Sequence, residues 1–371
     1  MIKHKYRVFH NNTSLKPEEL GNLKEIIVDQ EIDIAWEARL TFYLFLDDKG
    51  KWSSETDEMI KSFTRIRIEI QAEGKSFVPL IDGPIVGYEI QMSSEPGEST
   101  VVIVVQDDSV FLNLDDEIVK YEKMTDDLIV QQIFVNYSLI PEIERQNFKK
   151  SSINPPLDYV QRSTSIKVLK NLAKRQGMVT YVLPGQIPGK SIGCFCNLPT
   201  QPGNLASLIL LGPERNIETF FVKHNALKTS KFEASSMQIA NKQIKSSLSN
   251  MSKIPLLGDD LGSESTRELP TRRLPPYQDE LVDLDNAVLA EAKYSSYSIQ
   301  AEGKVLNSKY PDILRPYQVV SVYGVKPTVG GYFLIMGVTH NITPSQYNQS
   351  FRLLKNARTT GSLKSSIGGI F

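Results

Sequence analysis

The chain has 371 residues, enough for two to four domains with buried cores, and its 42 Lys and Arg residues nearly balance 43 Asp and Glu residues. A net charge of -1 lacks the basic excess expected of a nucleic-acid-binding protein. No run of about eighteen apolar residues predicts a transmembrane helix, and no apolar stretch near the N-terminus predicts a secretory signal. Cys194 and Cys196 are the only cysteines, too few for a disulfide scaffold, which favours folding in a reducing cytoplasm.

The first region, residues 1–114, is predicted to be mostly β-strand. Apolar and polar side chains alternate over residues 32–36, and again in RIRIEIQ at 65–71, which places three isoleucines on one face and charges on the solvent face. Pro and Gly interrupt residues 77–89, which predicts a broken strand, whereas residues 101–105 predict a strong one. Six or more strands are enough for a barrel.

Helical signals follow this β-rich region. Thr125 precedes two aspartates and an apolar face, the pattern of a capped helix. A second helix is predicted to begin at Ser163 or Thr164 and to end at Gly177, because basic residues fill its last turn. Residues 178–183 then predict a strand, so this part of the chain forms an α/β unit.

The second half returns to strands. Residues 192–223 predict further β-structure, and residues 314–357 predict three or four consecutive antiparallel strands separated by Gly, Pro and Asn. Weak helical spacing marks residues 232–249. The Pro-rich stretch 251–277 predicts a long loop or linker.

An amphipathic helix is predicted next, between the linker and the closing strands. It runs from Asp279 to about Tyr297, and Gly303 is expected to close it. The Gly- and Ser-rich residues 358–371 predict a tail that is either flexible or ordered by a partner. No internal repeat is visible by residue identity.

The cysteines and His340 are the residues that could have a catalytic or metal-binding role. Cys194 and Cys196 form a C-x-C pair, but a zinc site needs four ligands and the four histidines show no ligand spacing. His340 is predicted to end a strand, and no G-x-S-x-G nucleophile motif accompanies it. Structural roles are the favoured interpretation for all three.

The carboxylates and the glycines predict no site either. Adjacent carboxylates on a strand point to opposite faces, so none of the pairs satisfies the geometry of a glycosidase, and turn or capping roles explain them. The pairs are Asp47-Asp48, Asp107-Asp108, Asp115-Asp116 and Asp126-Asp127. Phosphate-cradling glycine loops are absent, and Arg272-Arg273 is interpreted as solvated loop charge. The sequence therefore predicts no catalytic, cofactor-binding or metal-binding residue and no enzyme activity.

The order of these motifs resembles the baseplate hub family of contractile tails, which includes phage late control D proteins and the hub portion of VgrG. The resemblance covers nearly the whole chain. It is carried chiefly by GPIVGY at Gly83–Tyr88, the helix–turn–strand at Ser163–Val182 and GVTH at Gly337–His340. The acidic, Trp-bearing N-terminal stretch is similar to hubs of extracellular contractile injection systems. No long β-helical spike follows, so the resemblance implies that the spike is a separate chain.

The resemblance implies a mixed β and α/β fold with two tube-like antiparallel β-barrels and α/β parts inserted or packed outside. The implied bounds are a first barrel at 1–114, an α/β domain at 115–190, a second barrel from 191–230 and 300–357, a polar linker with a helix at 231–299, and a tail at 358–371. The implied function is structural: a homotrimeric ring that adapts a hexameric inner tube to a trimeric spike within a baseplate.

The implied partners are the spike protein, the inner tube or its initiator, and other baseplate proteins. Assembly in the bacterial cytoplasm and a final position in a phage tail or injection particle are expected. Two rival functions stay open. A tail-associated cell-wall hydrolase predicts a cleft with facing carboxylates, and a receptor-binding tail module predicts an exposed aromatic face for carbohydrate.

Overall fold

The computed structural model describes residues 4–53, 60–72, 74–144, 158–237, 242–262, 268–275 and 284–359. The N-terminal region is β-structure, as its alternating and β-branched residues predict. Its strands are β1 (His4–His10), β2 (Thr13–Ser14), β3 (Leu23–Glu31), β4 (Glu37–Tyr43), β5 (Arg65–Ala72), β6 (Val78–Gln91) and β7 (Thr100–Gln106). A 3₁₀ helix, Asp108–Asn113, follows β7.

The middle region alternates strands with two helices and is called the α/β region. Its elements are β8 (Asp116–Tyr121), α1 (Asp126–Asn136), β9 (Ile140–Ile143), β10 (Tyr159–Thr164), α2 (Ser165–Gln176), β11 (Val179–Pro184) and β12 (Ser191–Cys196). Gly177 takes a left-handed conformation, φ 68°, as the αL cap of α2. The sequence prediction assigns β12 to the second barrel, but β12 pairs with β11 and β9 in a small separate sheet.

The C-terminal region contains most of the remaining strands and one helix. These are β13 (Leu208–Ile209), β14 (Ile217–His224), β15 (Lys231–Met237), β16 (Ile244–Leu248), β17 (Asp260–Leu261), β18 (Thr271–Arg273), α3 (Leu284–Ser296), β19 (Ile299–Val305), β20 (Val319–Tyr323), β21 (Gly331–Ile342), β22 (Tyr347–Lys355) and β23 (Ala357–Arg358). Short 3₁₀ segments occur at Met251–Lys253 and Pro327–Val329.

Strands from both ends of the chain join in one large curled sheet that is mostly antiparallel. Across the described residues its order is β14-β19-β22-β21-β3-β4-β7-β6-β5-β1-β2, and β20 pairs with β21 and with β13. The two halves meet where β21 pairs with β3, with Gly337 opposite Glu31 and Ile342 opposite Ile26. This pairing is called the junction below.

The two halves of the sheet repeat one topology. We define block one as β3, β4, β5, β6 and β7, and block two as β14, β19, β20, β21 and β22. In each block the first, second, fifth and fourth strands lie side by side, and the third strand pairs with the N-terminal half of the fourth. The junction therefore joins the first strand of block one to the fourth strand of block two.

The repeat extends to individual register irregularities. The fourth strands, β6 and β21, shift register against the fifth strands between Ile85 and Gly87 and between Ile335 and Gly337. The first strands shift against the second between Leu23 and Glu25 in β3, and between Ile217 and Thr219 in β14. Bulges are built-in features that set local twist, so their coincidence fixes which residues correspond between the blocks.

Separate hydrophobic clusters fill the molecule. The inner faces of block one contribute Ile26, Leu40 and Ile103 to the largest cluster, whereas block two packs its own cluster around Phe333 and Phe351. The α/β region has a cluster of its own between α1, α2 and their strands. A fourth cluster lies under β15 and α3.

Several local predictions in the N-terminal region are wrong in detail. Residues 32–36 form a turn in which Asp33 takes φ 65°, and Ile34 points to solvent. Strand β6 is continuous through Pro79 and Pro84, and its register shifts against β5 beside Pro79 and against β7 after Ile85. The charges of β5 do not face solvent, since Arg67 and Glu69 are buried with the isoleucines.

Predictions for the C-terminal region also need correction. The described residues of 232–249 form the antiparallel strands β15 and β16 rather than a helix. The described residues of 251–277 are largely irregular, as predicted, but they include the short strands β17 and β18. Gly303 does not end the helix: α3 ends at Ser296, and Gly303 lies within β19. The predicted start of this helix and residues 360–371 of the tail lie outside the described residues.

Candidate functional surface

The junction has a polar solvent face. Thr339 Oγ1 donates a hydrogen bond of 2.6 Å to Asp29 Oδ1, its partner across the strand pair. One row further along the sheet, Arg352 Nη2 lies 2.7 Å from Glu31 Oε2. Such exposed pairs contribute little to stability. The solvent side of the junction therefore carries cross-strand pairs that match the register of the two blocks.

The core face of the junction holds His340, which lies within β21 rather than at the strand end that the sequence predicts. Its Nδ1 lies 2.8 Å from Tyr347 Oη, and its Nε2 lies 3.2 Å from Gln30 Oε1. Complete burial lowers the pKa of His340 to about 3, so the imidazole is neutral at physiological pH. His340 is thus a buried hydrogen-bonding bridge between the two blocks.

Charged and polar side chains cover much of the solvent face of the whole sheet. Arg39 pairs with Glu89 at 2.6 Å across β4, β7 and β6, and Lys304 lies 3.8 Å from Glu218. A shallow depression of about 90 Å³ lies on this face next to the junction, lined by Phe221, Lys223, Gln300, Glu302, Met336 and Arg352. A face of this kind stays wet rather than forming a dry core.

A buried ion network lies at the opposite end of block one. The guanidinium of Arg67 is within 2.6 Å of Glu69 and within 2.9 Å of Asp82. Arg65 contacts Asp82 at 2.6 Å and Asp108 at 2.5 Å. The carboxylate of Glu69 also pairs with Arg7. Three arginines, Arg7 and the two of β5, thus balance the three buried carboxylates, as buried charge requires.

This network connects block one to the α/β region. Arg67 Nη1 donates to the carbonyl of Gly185 at 2.7 Å, and its Nη2 donates to the carbonyl of Gln186 at 3.1 Å. Asp82 Oδ2 accepts a hydrogen bond from the backbone N–H of Gly189, and Ser191 Oγ donates a hydrogen bond of 2.6 Å to Asp108 Oδ2. Sequence reasoning missed these residues because charges alternating with isoleucines predict a solvent-facing row; no local signal identifies the distant loop as their partner.

The candidate carboxylate pairs have local partners. Asp107 accepts from the backbone N–H of Ser109 and of Trp36, and burial raises its pKa to about 6. Asp108 pairs with Arg65, and Asp126 pairs with Arg175. Asp47 accepts from the N–H groups of Lys49 and Lys51 in a turn. Asp47 and Asp107 thus make turn and capping contacts, whereas Asp108 and Asp126 are paired with arginines from other elements.

The cysteines lie in β12 of the small sheet. Cys196 Sγ is 3.6 Å from Tyr181 Oη, and burial raises the pKa of both thiols. The Tyr181 ring stacks on Tyr317 with centroids 3.5 Å apart. Among the described residues, no three His, Cys, Asp or Glu side chains are placed to hold a metal ion. Thiols with raised pKa values are poor nucleophiles.

The structure also bears on the Arg272-Arg273 pair and on the prediction that the chain has no transmembrane helix. The exposed Arg273 pairs with Glu233 at 3.2 Å, and Arg272 lies beside it in the exposed strand β18. Each helix within the described ranges is too short or too polar to cross a membrane.

The fold is that of bacteriophage and type VI secretion tail proteins. A 43 kDa tail protein of prophage MuSo2 from Shewanella oneidensis superposes with a TM-score of 0.62 at 13% identity, over 95% of this chain and 98% of that one. A tail protein from Neisseria meningitidis MC58 gives a TM-score of 0.60 at 13% identity, over 95% and 96% of the two chains.

A third similar structure is the E. coli c3393 protein, described as a type VI secretion component similar to the T4 tail proteins gp27 and gp5. It gives a TM-score of 0.52 at 9% identity, over 96% of this chain and 77% of that one. No protein-family model matches this sequence, and no curated protein sequence matches it. The similarity therefore establishes the fold, while family membership rests on no sequence match.

Proposed function

We propose that this chain is the structural hub of a baseplate, in a contractile phage tail or an injection particle. In that role three copies form a ring that adapts a hexameric inner tube to a trimeric spike. Two findings support the proposal: the fold shared with tail proteins over nearly the whole chain, and the duplicated block within one sheet.

The duplicated block is the observation that carries the proposal. Each chain presents two blocks of the same topology, joined head to tail through β3 and β21. Three chains would present six such blocks around one axis while keeping true threefold symmetry. Such a ring could meet a six-membered cylinder on one side and a three-sided spike on the other. The two blocks would be the two tube-like barrels that the sequence resemblance implies.

The polar sheet face suits the lining of such a ring. Its charges are mostly paired across strands, as in Arg39–Glu89 and Arg352–Glu31. A wet, charged wall gives a tube or spike segment no continuous apolar surface on which to stick. The α/β region and the subdomain of β15, β16, β18 and α3 would lie outside the ring, where they could contact other baseplate proteins.

The alternatives receive less support. A cell-wall hydrolase needs two carboxylates facing across a cleft, whereas Asp107, Asp108 and Asp126 are held by backbone N–H groups and arginines. A carbohydrate-binding module needs an exposed aromatic face. Phe42, Phe333 and Phe351 are buried in the sheet cores, and the exposed Phe45, Phe63 and Phe221 lie in separate segments of the chain. We therefore propose a structural rather than an enzymatic role.

Electron microscopy tests the proposal directly. The full chain is produced alone and together with candidate tube and spike proteins from its genomic neighbourhood, and the complexes are imaged and their masses are measured. We expect a threefold ring with a central lumen and a mass of three chains. A chain that stays monomeric at all workable concentrations and does not join its spike would refute the hub.

A further inference from the structure

The junction also predicts where one copy meets the next. It joins the first strand of block one to the fourth strand of block two. The first strand of block two, β14, and the C-terminal half of the fourth strand of block one, β6, have no equivalent pairing among the described residues. In the described residues β14 pairs only with β19, and residues 85–91 of β6 have β7 as their partner strand.

We propose that β14 of one copy pairs with residues 87–92 of the next copy, the C-terminal end of β6 and the residue after it, antiparallel and in the register of the junction. This inference rests on the proposed hub and adds to it the strands and the register of the contact. The coincident bulges fix the correspondence, with Gly87 equivalent to Gly337 and Phe221 equivalent to Ile27. Tyr88 then faces His224, Ile90 faces Val222, and Met92 faces Phe220.

The side chains of the two edges are complementary on the core face. Tyr88, Ile90 and Met92 are 50%, 49% and 58% exposed, although Tyr88 and Ile90 lie opposite the buried residues Ile103 and Val101 of β7. On β14, Val222 and Phe220 are half-buried at the rim of the second core. Pairing the strands would cover both apolar rows, as Val338 and Ile342 are covered at the junction.

The solvent face of this contact is complementary in charge. Glu89 corresponds to Thr339 and Lys223 corresponds to Asp29, the pair that is hydrogen-bonded at the junction. Glu89 of one copy would thus lie directly opposite Lys223 of the next. Opposite charges facing each other across antiparallel strands stabilise one register and disfavour its neighbours. The occupant of both edges is therefore a second copy of this chain, joined head to tail.

Disulfide trapping tests the register. The full chain carrying Glu89→Cys and Lys223→Cys is oxidised under the conditions in which it assembles, and covalent species are resolved without reductant. We expect chains linked into dimers and trimers. Each single variant and the parent, which contains Cys194 and Cys196, measure the background. The out-of-register pair Glu89→Cys with Thr219→Cys should yield at least tenfold less crosslinked product. Thr219 lies four residues from Lys223 on β14, which places it about 13 Å along the strand from the position opposite Glu89.

The junction supplies a matched positive control within one chain. Thr339→Cys with Asp29→Cys has the same geometry and should close an intramolecular disulfide. If this pair does not close, the next row is used, with Asn341→Cys and Ile27→Cys as control and Gln91→Cys and Phe221→Cys as test. Rings that assemble without in-register crosslinks would overturn this inference and leave the hub proposal standing. Absence of any assembly would overturn both.

A charge exchange provides a second measurement. Glu89→Lys and Lys223→Glu should each weaken self-association about tenfold or more, and the double exchange should restore it to within about threefold of the parent. Arg39→Ala removes the partner of Glu89 within the chain and should change association by less than threefold. A double exchange no better than the single ones would contradict the proposed contact.

Discussion

Block one and block two share a strand order and the positions of two bulges, but their equivalent residues have different roles. In block one, Arg65, Arg67 and Asp82 belong to the buried ion network that holds the loop before β12. By register, the equivalent residues in block two are Val319, Ser321 and Tyr332. Block one thus anchors the α/β region through these charges, whereas block two has uncharged residues at the equivalent positions.

The cores of the two blocks are also packed differently. Leu40 lies opposite Ile103 in block one, and the equivalent pair in block two is Gly303 opposite Phe351. A large and a small residue in block two replace two medium ones in block one, which keeps the local volume similar. The comparison teaches that strand order and bulges are the shared part of the design, while charge and residue size are specific to each block.

The largest expected effect is at the ion network. Arg67→Met should remove one of the two arginines that contact each of Glu69 and Asp82, together with the donor to the Gly185 carbonyl. Because this leaves three carboxylates with only two arginines, we expect the free energy of unfolding to fall by about 3–5 kcal/mol. Chemical denaturation measures it. Ser321→Ala, at the equivalent position of block two, should cost less than about 1 kcal/mol. Equal losses for both variants would remove the distinction between the blocks.

The next effect concerns the core of block two. A Cβ on Gly303 would lie 2.6 Å from the Phe351 ring and against the carbonyl oxygen of Thr219. Gly303→Ala should therefore cost about 2–3 kcal/mol in unfolding free energy. Gly203→Ala is the matched control, since a Cβ there would meet no atom within 4 Å. A neutral Gly303→Ala would show that the Phe351 pocket can relax.

A pH measurement tests the bridge between the blocks. The pKa of His340 is about 3 when folded and 6.5 ordinarily, so the unfolded chain binds an extra proton between these values. Stability from this group is complete above pH 6.5 and falls on acidification, by about 1–2 kcal/mol between pH 6.5 and 5. We expect His340→Gln to lose this dependence in denaturation measured across that range.

Burial of Asp107 works in the opposite direction. Its raised pKa of about 6 means that the folded state holds the extra proton between pH 3.8 and 6, which favours folding as pH falls. Both chains retain Asp107, so the difference between parent and His340→Gln isolates the histidine. An unchanged acid slope in the variant would show that His340 is not the source of the acid dependence.

The smallest expected effect is on the solvent side of the junction. Thr339→Val keeps the β-branched shape and removes the hydrogen bond to Asp29, so we expect a loss of about 0.5–1 kcal/mol in thermal or chemical unfolding. Ser350→Ala, one strand away in the same row, should change stability by about 0.5 kcal/mol or less. A loss above about 2 kcal/mol for Thr339→Val would show that the solvent side of the junction contributes more to stability than we propose.

Much of the fold was predictable from local pattern. The strands of the N-terminal region, helix α2 with its Gly177 cap, and the closing strands β20 to β22 follow from periodicity, β-branched residues and turn residues. GPIVGY and GVTH, which carry the family resemblance, lie in β6 and β21. These are the equivalent fourth strands of the two blocks, although the segments share few residues.

Other features depended on partners far along the chain. The hairpin β15–β16 was predicted as a weak helix because its polar residues carry little periodicity, and its pairing and the packing of α3 decide the strand. Gly303 was predicted to end a helix, but close packing against Phe351 and Thr219 accounts for it. The burial of Arg67 required the loop at 185–189, more than a hundred residues away.

The sequence by itself determined where many strands lie and where helix α2 ends at Gly177, because these features depend on neighbours within a few residues. Only the tertiary structure decided that β3 pairs with β21, that the two blocks are equivalent, and that the charges of β5 are buried. Strand partners are chosen by hydrogen-bonding edges and apolar faces that meet only after the chain has folded back on itself, so residue identity along the chain does not record them.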